Sequence, residues 1–508
     1  MMAALRHDSH DQGLQQLFAG HADLSRVPQL TITGLTLDSR QVEPGYLFLA
    51  CAGTQQHGIR FIDAAIANGA VAVAVEPAVE TEGLAPERYS VPVFTVERLH
   101  WIAGEVASRF YGEPSGQMKV VGITGTNGKT SISQFIAQAA SHDGVCGVIG
   151  TLGSGLYGQM DTTGHTTPDA VTLQQQLAKM RDAGAGLVAM EVSSHALDQG
   201  RVNGVQFDVA VFTNLSHEHL DYHGDIVSYA SAKRRLLQMP GLRLAVLNAD
   251  DPIGREWLAD MPAAVEAVSY GLSGGEGERL GPDLFAADLT LDASGLAMQV
   301  RAGEQSATLK TALLGRFNAS NLLAALGALL GLGYDFEDAL QRLSRVTTVA
   351  GRMESFGGGK KPLVVVDYAH TPAALEHVLQ ALREHTTRQL WCIFGCGGER
   401  DREKRPMMGR IAEQLADNVV ITDDNPRRED PFSIIEEILR GIENPDAVYI
   451  SRDRAQAIAH AISLAREGDV ILVAGKGHET VQQIGEQCLP YSDRHEVTRL
   501  LGEEVRHG

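Results

Sequence analysis

Short apolar runs alternate with segments of helical periodicity along most of the chain. In the middle of the sequence the apolar runs are residues 120–123, 145–149, 187–192, 209–214 and 244–248. Buried strands of a parallel sheet have this length and composition, and helices between them provide the crossovers. The pattern therefore predicts an α/β fold whose strands are mainly parallel.

Both ends of the chain repeat the pattern on a smaller scale. Near the start, a predicted helix with Ile62, Ala65 and Ile66 on one face precedes a strand at residues 71–75. Near the end, strands are predicted at residues 363–366, 390–394, 419–422 and 470–474. Thr371 and Pro372 have the residue types of a helix N-cap and first helical position, so a helix should begin there.

Length and composition limit the class of protein. A chain of 508 residues is too long for one core, and we expect three domains, at residues 1–97, 98–347 and 348–508. Its 44% hydrophobic and 21% charged residues are ordinary for a soluble globular protein, and no stretch is apolar enough for a membrane span. Residues 1–30 lack an apolar signal-peptide core, so we expect a cytoplasmic protein.

Charge and cysteine content exclude further classes. A net charge of −20 argues against nucleic acid as a main partner, because a phosphate backbone needs a basic surface. The five cysteines are odd in number and lie mostly in apolar runs, which predicts reduced thiols. Cys392 and Cys396 are too few for a four-thiolate zinc site.

The run after the first central strand has the composition of a phosphate-binding loop, Gly125-Thr126-Asn127-Gly128-Lys129-Thr130-Ser131. Gly125 and Gly128 allow the backbone to approach an anion, and the following helix N-terminus supplies unpaired N–H groups. Lys129 is suited to terminal phosphates and Thr130 to magnesium. The strict loop pattern requires glycine at Ile123, whereas this chain has it one residue earlier, at Gly122.

Polar residues cluster after the other predicted strands, at the edge where such sheets bind ligands. Glu191 is suited to complete magnesium coordination with Thr130, and His219 is placed beside it; a turn-capping role for Glu191 is the alternative. The run that contains His217, His219, Asp221 and His223 invites a zinc hypothesis, but it lacks the paired spacings of usual zinc sites. Asn318 is suited either to a helix cap or to a nucleotide base. The Asp38-Ser39-Arg40 turn fits a polar ligand or a purely structural role, and residues 273–281 predict a flexible loop.

Taken together, these motifs resemble the ATP-dependent Mur ligases of peptidoglycan synthesis along nearly the whole chain. The shared stretches are the Gly125–Thr130 loop, the Glu191–His195 strand end, residues 214–223, Phe317-Asn318, Gly351-Arg352 and residues 367–372. The resemblance implies three domains: one for the UDP-sugar, a central P-loop ATPase domain and a Rossmann-like C-terminal domain. It also implies an amide ligase that works through an acyl phosphate and uses ATP and Mg²⁺, with a monomer expected.

The resemblance assigns roles to individual residues. Residues 125–131, Asn318, Arg352 and Asp367 match ATP contacts, and Lys129, Lys233 and His219 match catalytic positions. Thr130, Glu191, His219 and Lys233 match the metal-site residues, where Lys233 is carbamylated and holds a second magnesium. From the residues alone, Lys233 reads as a solvated helix charge.

Substrate contacts are implied in the same way. The UDP-sugar positions are Leu37, Ser39, Thr54, Gln55, Gln56, His165, Thr166, Thr167, Ser193, Gln199 and Arg201, where His165 replaces a common Asn. The amino-acid positions are Arg400, Asp424, Asn425, Pro426, Arg427, Gly475 and Glu479. The Asp424–Arg427 motif resembles that of members that add meso-diaminopimelate to UDP-N-acetylmuramoyl-L-alanyl-D-glutamate. The distal end of meso-diaminopimelate carries a carboxylate, which an arginine side chain can bind with two N–H groups, and an ammonium, which acidic or amide oxygens can accept.

Two other functions are alternatives for this sequence. Folylpolyglutamate synthetases resemble this chain in the loop and the acyl-phosphate mechanism, but they are smaller and lack a UDP-binding first domain. A nucleotide-dependent switch is the alternative from another class. A GTPase is expected to carry Asn-Lys-x-Asp for guanine, and the sequence contains no Asn-Lys pair.

Overall fold

The structure is a computed structural model that describes residues 12–53, 56–81, 84–161, 164–216, 218–272, 281–386 and 388–502, apart from the side chains of Leu220 and Asp221. The predicted loop at 273–281 therefore lies, except for Gly281, outside the described residues. The chain divides into two compact units. The first comprises Met1–Tyr270 and Gly327–Tyr334, and the second Gly271–Leu326 and Asp335–Gly508.

The first unit begins with a small parallel sheet. Its elements are β1 (Gln12–Gly13), α1 (Leu14–Leu17), β2 (Thr31–Ile32), β3 (Gly34–Thr36), β4 (Tyr46–Ala50), α2 (Ile62–Ala67), β5 (Ala72–Val75), β6 (Val93–Thr95) and α3 (Leu99–Phe110). Strands β3 to β6 pair in sequence order and all run parallel. The predicted helix and strand in this region are confirmed as α2 and β5.

The larger sheet of the first unit contains the phosphate-loop strand at its centre. The elements are β7 (Lys119–Thr124), α4 (Lys129–Ala140), β8 (Val145–Gly150), β9 (Gly153–Leu156), β10 (Gln159–Asp161), α5 (Ala170–Asp182), β11 (Ala185–Glu191), α6 (Ser194–Asp198), β12 (Val209–Phe212), α7 (Leu220–His223), α8 (Ile226–Arg234), β13 (Leu244–Asn248), α9 (Pro252–Ala259) and β14 (Glu266–Gly271). In this unit the strand order is β10-β9-β8-β11-β7-β12-β13-β14. The strands from β8 to β14 are parallel, as predicted, whereas β9 and β10 form an antiparallel extension.

One predicted strand is too long. Strand β12 ends at Phe212, not at Asn214. Thr213 and Asn214 leave the sheet because their side chains bond to Asn127 of the neighbouring loop. The polar side chains at this strand end therefore form hydrogen bonds with the phosphate loop.

The second unit contains an antiparallel region and a parallel sheet. Its first elements are β15 (Leu284–Asp292), β16 (Gly295–Ala302), β17 (Gln305–Thr311), α10 (Arg316–Gly331), whose last residues belong to the first unit, and α11 (Phe336–Leu343). The remaining elements are β18 (Glu354–Gly357), β19 (Leu363–Asp367), α12 (Pro372–Arg383), β20 (Leu390–Phe394), α13 (Lys404–Leu415), β21 (Asn418–Ile421), α14 (Pro431–Leu439), β22 (Tyr449–Ile450), α15 (Arg454–Leu464), β23 (Val470–Ala474), β24 (Val481–Ile484), β25 (Gln487–Pro490) and α16 (Asp493–Leu501).

The parallel sheet of the second unit has the order β18-β19-β23-β20-β21-β22, in which only β18 is antiparallel to its neighbour. The four strands predicted here are all present. Helix α12 begins as predicted, with Thr371 Oγ1 accepting a hydrogen bond from Ala374 N and Pro372 at the first helical position. The antiparallel strands β15 to β17 and the hairpin β24–β25 were not predicted.

No helix in the described part of the chain has the length and apolar character needed to cross a bilayer.

Candidate active site

The phosphate-loop sequence connects β7 to α4, as the apolar pattern predicts. Gly125 and Gly128 have φ angles of 139° and 90°, which strongly favour glycine. A Cβ at Gly125 would lie 1.9 Å from Thr213 Oγ1, so a larger residue could not occupy this position without displacing the loop. The turn conformation and its packing thus explain both glycines.

A segment after β12 fixes the loop. Asn127 N donates to Asn214 Oδ1 at 2.9 Å, and Thr126 N donates to Asn214 O at 2.8 Å. Thr213 Oγ1 donates to Asn127 O at 2.6 Å. These bonds hold the loop in one shape, and a preformed loop binds an anion without a further ordering cost.

Two lysines meet at one carbonyl oxygen of the loop. Lys129 Nζ donates to Gly125 O at 2.9 Å and to Thr126 O at 2.8 Å, while Lys233 Nζ donates to Gly125 O at 2.8 Å. Lys233 is only 2% exposed, so it is not the solvated helix charge that its local sequence suggests. Burial, with repulsion from Lys129, lowers the pKa of Lys233 to about 6. Its amine is therefore largely neutral at pH 7.

Glu191 and Thr130 lie together at the carboxyl ends of β11 and β7. Thr130 Oγ1 donates to Glu191 Oε1 at 2.9 Å, and Thr151 N donates to the same oxygen at 2.9 Å. Burial raises the pKa of Glu191, against the opposing effect of these hydrogen bonds and of Lys129. The carboxylate thus caps the Thr151 turn and also contacts Thr130, and its role at magnesium stays a prediction. Hydroxyl and carboxylate oxygens in contact fit magnesium, a hard cation.

Histidine and tyrosine rings surround the other side of the loop. The His219 ring centroid lies 4.9 Å from that of His195 and 6.1 Å from that of Tyr229. The Tyr229 hydroxyl lies 3.3 Å from Thr126 Oγ1, and Lys233 Nζ lies 4.5 Å from its ring centroid. Tyr229 therefore connects His219, Lys233 and the loop.

The zinc hypothesis gains no geometric support within the described ranges, where no three His, Cys, Asp or Glu side chains are grouped to hold a metal ion. His217 lies outside those ranges, as does the side chain of Asp221. His223 Nε2 lies 3.0 Å from Ser194 Oγ.

Most of the predicted UDP-sugar residues of the central segment form one hydrogen-bonded group. Thr166 Oγ1 lies 3.0 Å from Thr151 Oγ1, and Thr167 Oγ1 donates to Glu191 O at 2.8 Å and accepts from Ser193 N. Arg201 donates to Gln199 Oε1 and to Thr167 O. Burial lowers the pKa of Arg201. This group is therefore continuous with Glu191.

The remaining predicted sugar residues lie elsewhere or are not described. Leu37 is half-buried, Ser39 is buried and Gln56 is exposed, and His165 is exposed. Thr54 and Gln55 lie outside the described residues. Asp38 Oδ1 accepts hydrogen bonds from Arg40 N and Arg40 Nε, which is the structural role expected of that turn.

Three predicted ATP contacts belong to the second unit. Asn318 is buried within α10, where its Nδ2 donates to Leu314 O at 2.8 Å, so it is not the N-cap. Asp367 accepts hydrogen bonds from Met353 N at 2.8 Å and Ala369 N at 2.7 Å, and burial raises its pKa. The Arg352 guanidinium lies 5.1 Å from the Tyr368 ring centroid and is exposed.

The predicted amino-acid residues form a second cluster in this unit, where β21 and β23 end. Asn425 Nδ2 donates to Glu479 Oε2 at 3.0 Å, and Asn425 Oδ1 accepts from Gln483 N at 2.9 Å. Arg427 has a left-handed φ of 52° and donates from Nη1 to Gly398 O at 2.7 Å. The cluster is therefore ordered by its own hydrogen bonds.

Asp424 is the exception within this cluster. Asp424 is 7% exposed, and no hydrogen bond from another described residue to its carboxylate is observed. Burial raises its pKa, whereas the charges of Arg454 and Lys476 lower it. A Cβ at Gly475 would lie 2.6 Å from Asp424 Oδ2, so a larger residue at position 475 would displace this carboxylate. Arg400 is exposed, and Pro426 is buried.

Sequence reasoning missed several residues that these clusters need. Lys476 is fully buried and bonds to both Asn425 and Glu479, although it stands in a glycine-rich run after a predicted strand. Arg454 forms a buried pair with Asp493, at 2.8 Å from Nε to Oδ1. Thr151 and Tyr229 carry no motif that would have identified them.

Family models match the chain in three stretches. The Mur ligase family catalytic domain matches residues 31–111, the Mur ligase middle domain matches 123–329, and the Mur ligase glutamate ligase domain matches 351–477. The chain belongs to the Mur ligase family.

Individual relatives are similar over nearly their full length. UDP-N-acetylmuramoyl-L-alanyl-D-glutamate–2,6-diaminopimelate ligase of Alkalilimnicola ehrlichii is 48% identical over 504 residues, which cover 97% of this chain and 99% of the relative. The enzyme of the same name from Pseudomonas aeruginosa is 50% identical, covering 94% of this chain and 97% of its own. A solved structure of an enzyme of that name is 36% identical with a TM-score of 0.77, covering 97% of this chain and 99% of its own.

Proposed function

We propose that this protein is the ATP-dependent ligase that joins meso-diaminopimelate to UDP-N-acetylmuramoyl-L-alanyl-D-glutamate in peptidoglycan precursor synthesis. The identity of 48% over 97% of the chain, to a relative named for this reaction, supports the assignment. The observation that carries the amino-acid choice is the motif that contains Asp424, a buried carboxylate, and Arg427, whose guanidinium donates to Gly398 O. Such a pair of groups suits a ligand end with both an ammonium and a carboxylate.

The proposed reaction has two steps. The γ-carboxylate of the D-glutamyl residue attacks the γ-phosphorus of ATP, which forms an acyl phosphate and releases ADP. The amine of the amino acid then attacks the acyl carbon, and the tetrahedral intermediate expels phosphate and leaves an amide. Negative charge develops in both steps, and Lys129 and the loop N–H groups are suited to stabilise it.

Thr130, Glu191, His219 and a carbamylated Lys233 are the proposed magnesium-site residues. Magnesium, when bound there, would neutralise charge on the transferring phosphoryl group. The contact between Thr130 and Glu191 supplies the oxygen pair that a hard cation requires. A neutral amine attacks carbon dioxide whereas an ammonium does not, so the lowered pKa of Lys233 supports its carbamylation.

We also propose the domain boundaries 1–97, 98–347 and 348–508. The matched stretches 123–329 and 351–477 fall within the second and third of these domains, whereas the stretch 31–111 extends past the first boundary. A cytoplasmic location and a monomeric state complete the proposal. Size-exclusion chromatography with light scattering tests the monomer, for which a mass near 54.5 kDa is expected.

The decisive experiment measures phosphate release by purified protein with ATP, the UDP-linked dipeptide and either meso-diaminopimelate or L-lysine. We expect release with meso-diaminopimelate and a product heavier by one such residue. Equal or better turnover with L-lysine would contradict the amino-acid choice. Lack of phosphate release with either amino acid would contradict the ligase assignment.

A further inference from the structure

The ammonium group of Lys476 lies at the centre of the amino-acid cluster. Its side chain is 0% exposed, and its Nζ donates to Asn425 Oδ1 at 3.0 Å and to Glu479 Oε2 at 2.8 Å. A buried cation is retained at this position only with such partners, because burial of an unpaired charge is costly. Lys476 therefore contacts two proposed substrate-binding side chains while being shielded from solvent itself.

These contacts determine the positions of the oxygen and the nitrogen in the Asn425 side-chain amide. Both Lys476 Nζ and the main-chain Gln483 N are donors only, and both lie on the Oδ1 side, at 3.0 and 2.9 Å. The opposite side of the amide donates from Nδ2 to Glu479 Oε2 at 3.0 Å. The amide oxygen is thus already engaged twice, and the group that Asn425 has left for a ligand is its second N–H.

We propose that Lys476 is a positioning residue that holds Asn425 as a hydrogen-bond donor and Glu479 as an acceptor for the incoming amino acid. This inference rests on the proposed function. It revises the sequence-based expectation that an amide acceptor here meets an ammonium, because Asn425 now faces a carboxylate. Asp424 and Glu479 remain as the acceptors for an ammonium.

The proposed reaction has three substrates, and the KM for each can be measured separately. Methionine at position 476 approximates the volume of lysine but donates no hydrogen bond. In Lys476→Met, Asn425 loses a partner that fixes its orientation, so we expect the KM for meso-diaminopimelate to rise about tenfold or more. The KM values for ATP and for the UDP-linked dipeptide are expected to stay within about twofold, because Lys476 holds only residues of the amino-acid cluster.

Lys361→Met is the matched control. Lys361 belongs to the same unit and donates to a main-chain oxygen, that of Leu501. Its removal should leave all three KM values unchanged. A Lys476→Met protein whose three KM values rise together, or whose KM for meso-diaminopimelate stays unchanged, would contradict the positioning role.

A second variant keeps the inference testable if Lys476→Met does not fold. Asn425→Asp keeps an acceptor oxygen for Lys476 and Gln483 and removes the amide N–H, although the new carboxylate also faces Glu479 Oε2. A donor role predicts a rise in the KM for meso-diaminopimelate of about tenfold, whereas a role as acceptor for ammonium predicts no rise. Wild-type protein that does not consume meso-diaminopimelate would contradict the proposed function and this inference with it. Wild-type turnover with an unaffected variant would contradict the inference alone.

Discussion

The phosphate loop of the first unit and the amino-acid cluster of the second unit have similar positions in their sheets, but their buried lysines have different partners. Each lies where parallel strands end, and each contains a buried lysine. At the loop, Lys129 and Lys233 donate to the same carbonyl oxygen of Gly125. In the cluster, Lys476 is paired with Glu479 and Arg454 with Asp493.

The difference indicates what each region is arranged to bind. Two amines that share one neutral acceptor repel each other when both are charged, which favours the neutral form of Lys233. A cluster whose charges are already paired gains little from a simple ion. It instead suits a ligand that carries both a positive and a negative charge. Such a ligand adds complementary contacts without breaking the ion pairs of the cluster.

The largest expected effect tests the neutral amine of Lys233 at the loop. Lys233→Ala removes the amine that would carry the carbamate, so we expect phosphate release to fall about 1000-fold. Short carboxylic acids should restore part of the activity by supplying oxygens in the emptied space. The control is Lys179→Ala, which removes an exposed lysine of the same unit. Full activity, or a loss that no carboxylic acid repairs, would contradict the proposed carbamate at Lys233.

A smaller effect is expected from the carboxylate opposite Thr130. Glu191→Gln keeps the shape and removes the charge that favours magnesium, so we expect the turnover at limiting magnesium to fall about 100-fold. A titration of phosphate release against magnesium measures this, with Glu256→Gln, an exposed glutamate, as control. An unchanged magnesium requirement would leave Glu191 with only its turn-capping role.

The cluster should respond selectively to loss of its guanidinium. In Arg427→Lys the paired N–H donors are lost, so we expect kcat/KM for meso-diaminopimelate to fall about tenfold with little change for L-lysine. The adjacent Arg428 is exposed and paired with Glu486, so Arg428→Lys is the matched control. A parallel loss for both amino acids would contradict carboxylate recognition by Arg427.

The smallest effect concerns the pH dependence of Lys233. Its pKa is lowered to about 6, so the amine is mainly neutral above that pH and protonated below it. After removal of carbon dioxide at low pH, reactivation at constant dissolved carbon dioxide should be about half-maximal near pH 6 and flat above pH 7. A rate that still rises tenfold per pH unit up to pH 10 would indicate an ordinary, solvated lysine.

The sequence was informative where a backbone requirement selects a residue type. Gly125, Gly128, Thr371 and Pro372 occupy the positions that their conformational preferences predict. Parallel strands were predicted because their apolar runs need no alternation when both faces are buried. The hairpin β24–β25 was not predicted, since its residues are mostly exposed and carry no apolar pattern.

Charge environments were much harder to predict. Lys233 and Lys476 stand in polar sequence, and only the tertiary fold buries them. The orientation of the Asn425 amide depends on Gln483, which is 58 residues away along the chain. Lysine burial and amide orientation arise from contacts between distant segments, and local sequence propensity does not report those contacts.

The hairpin has a consequence for engineering. Its residues hold the main chain of the Asp424–Arg427 motif: Arg427 N donates to Gln483 O at 3.1 Å, and Gln482 Nε2 donates to Asp424 O at 2.8 Å. A transplant of the four motif residues into a homologous scaffold would therefore carry the side chains without the support that orients them. The smallest transferable unit of amino-acid recognition is discontinuous, and it includes residues 475–490 together with the motif.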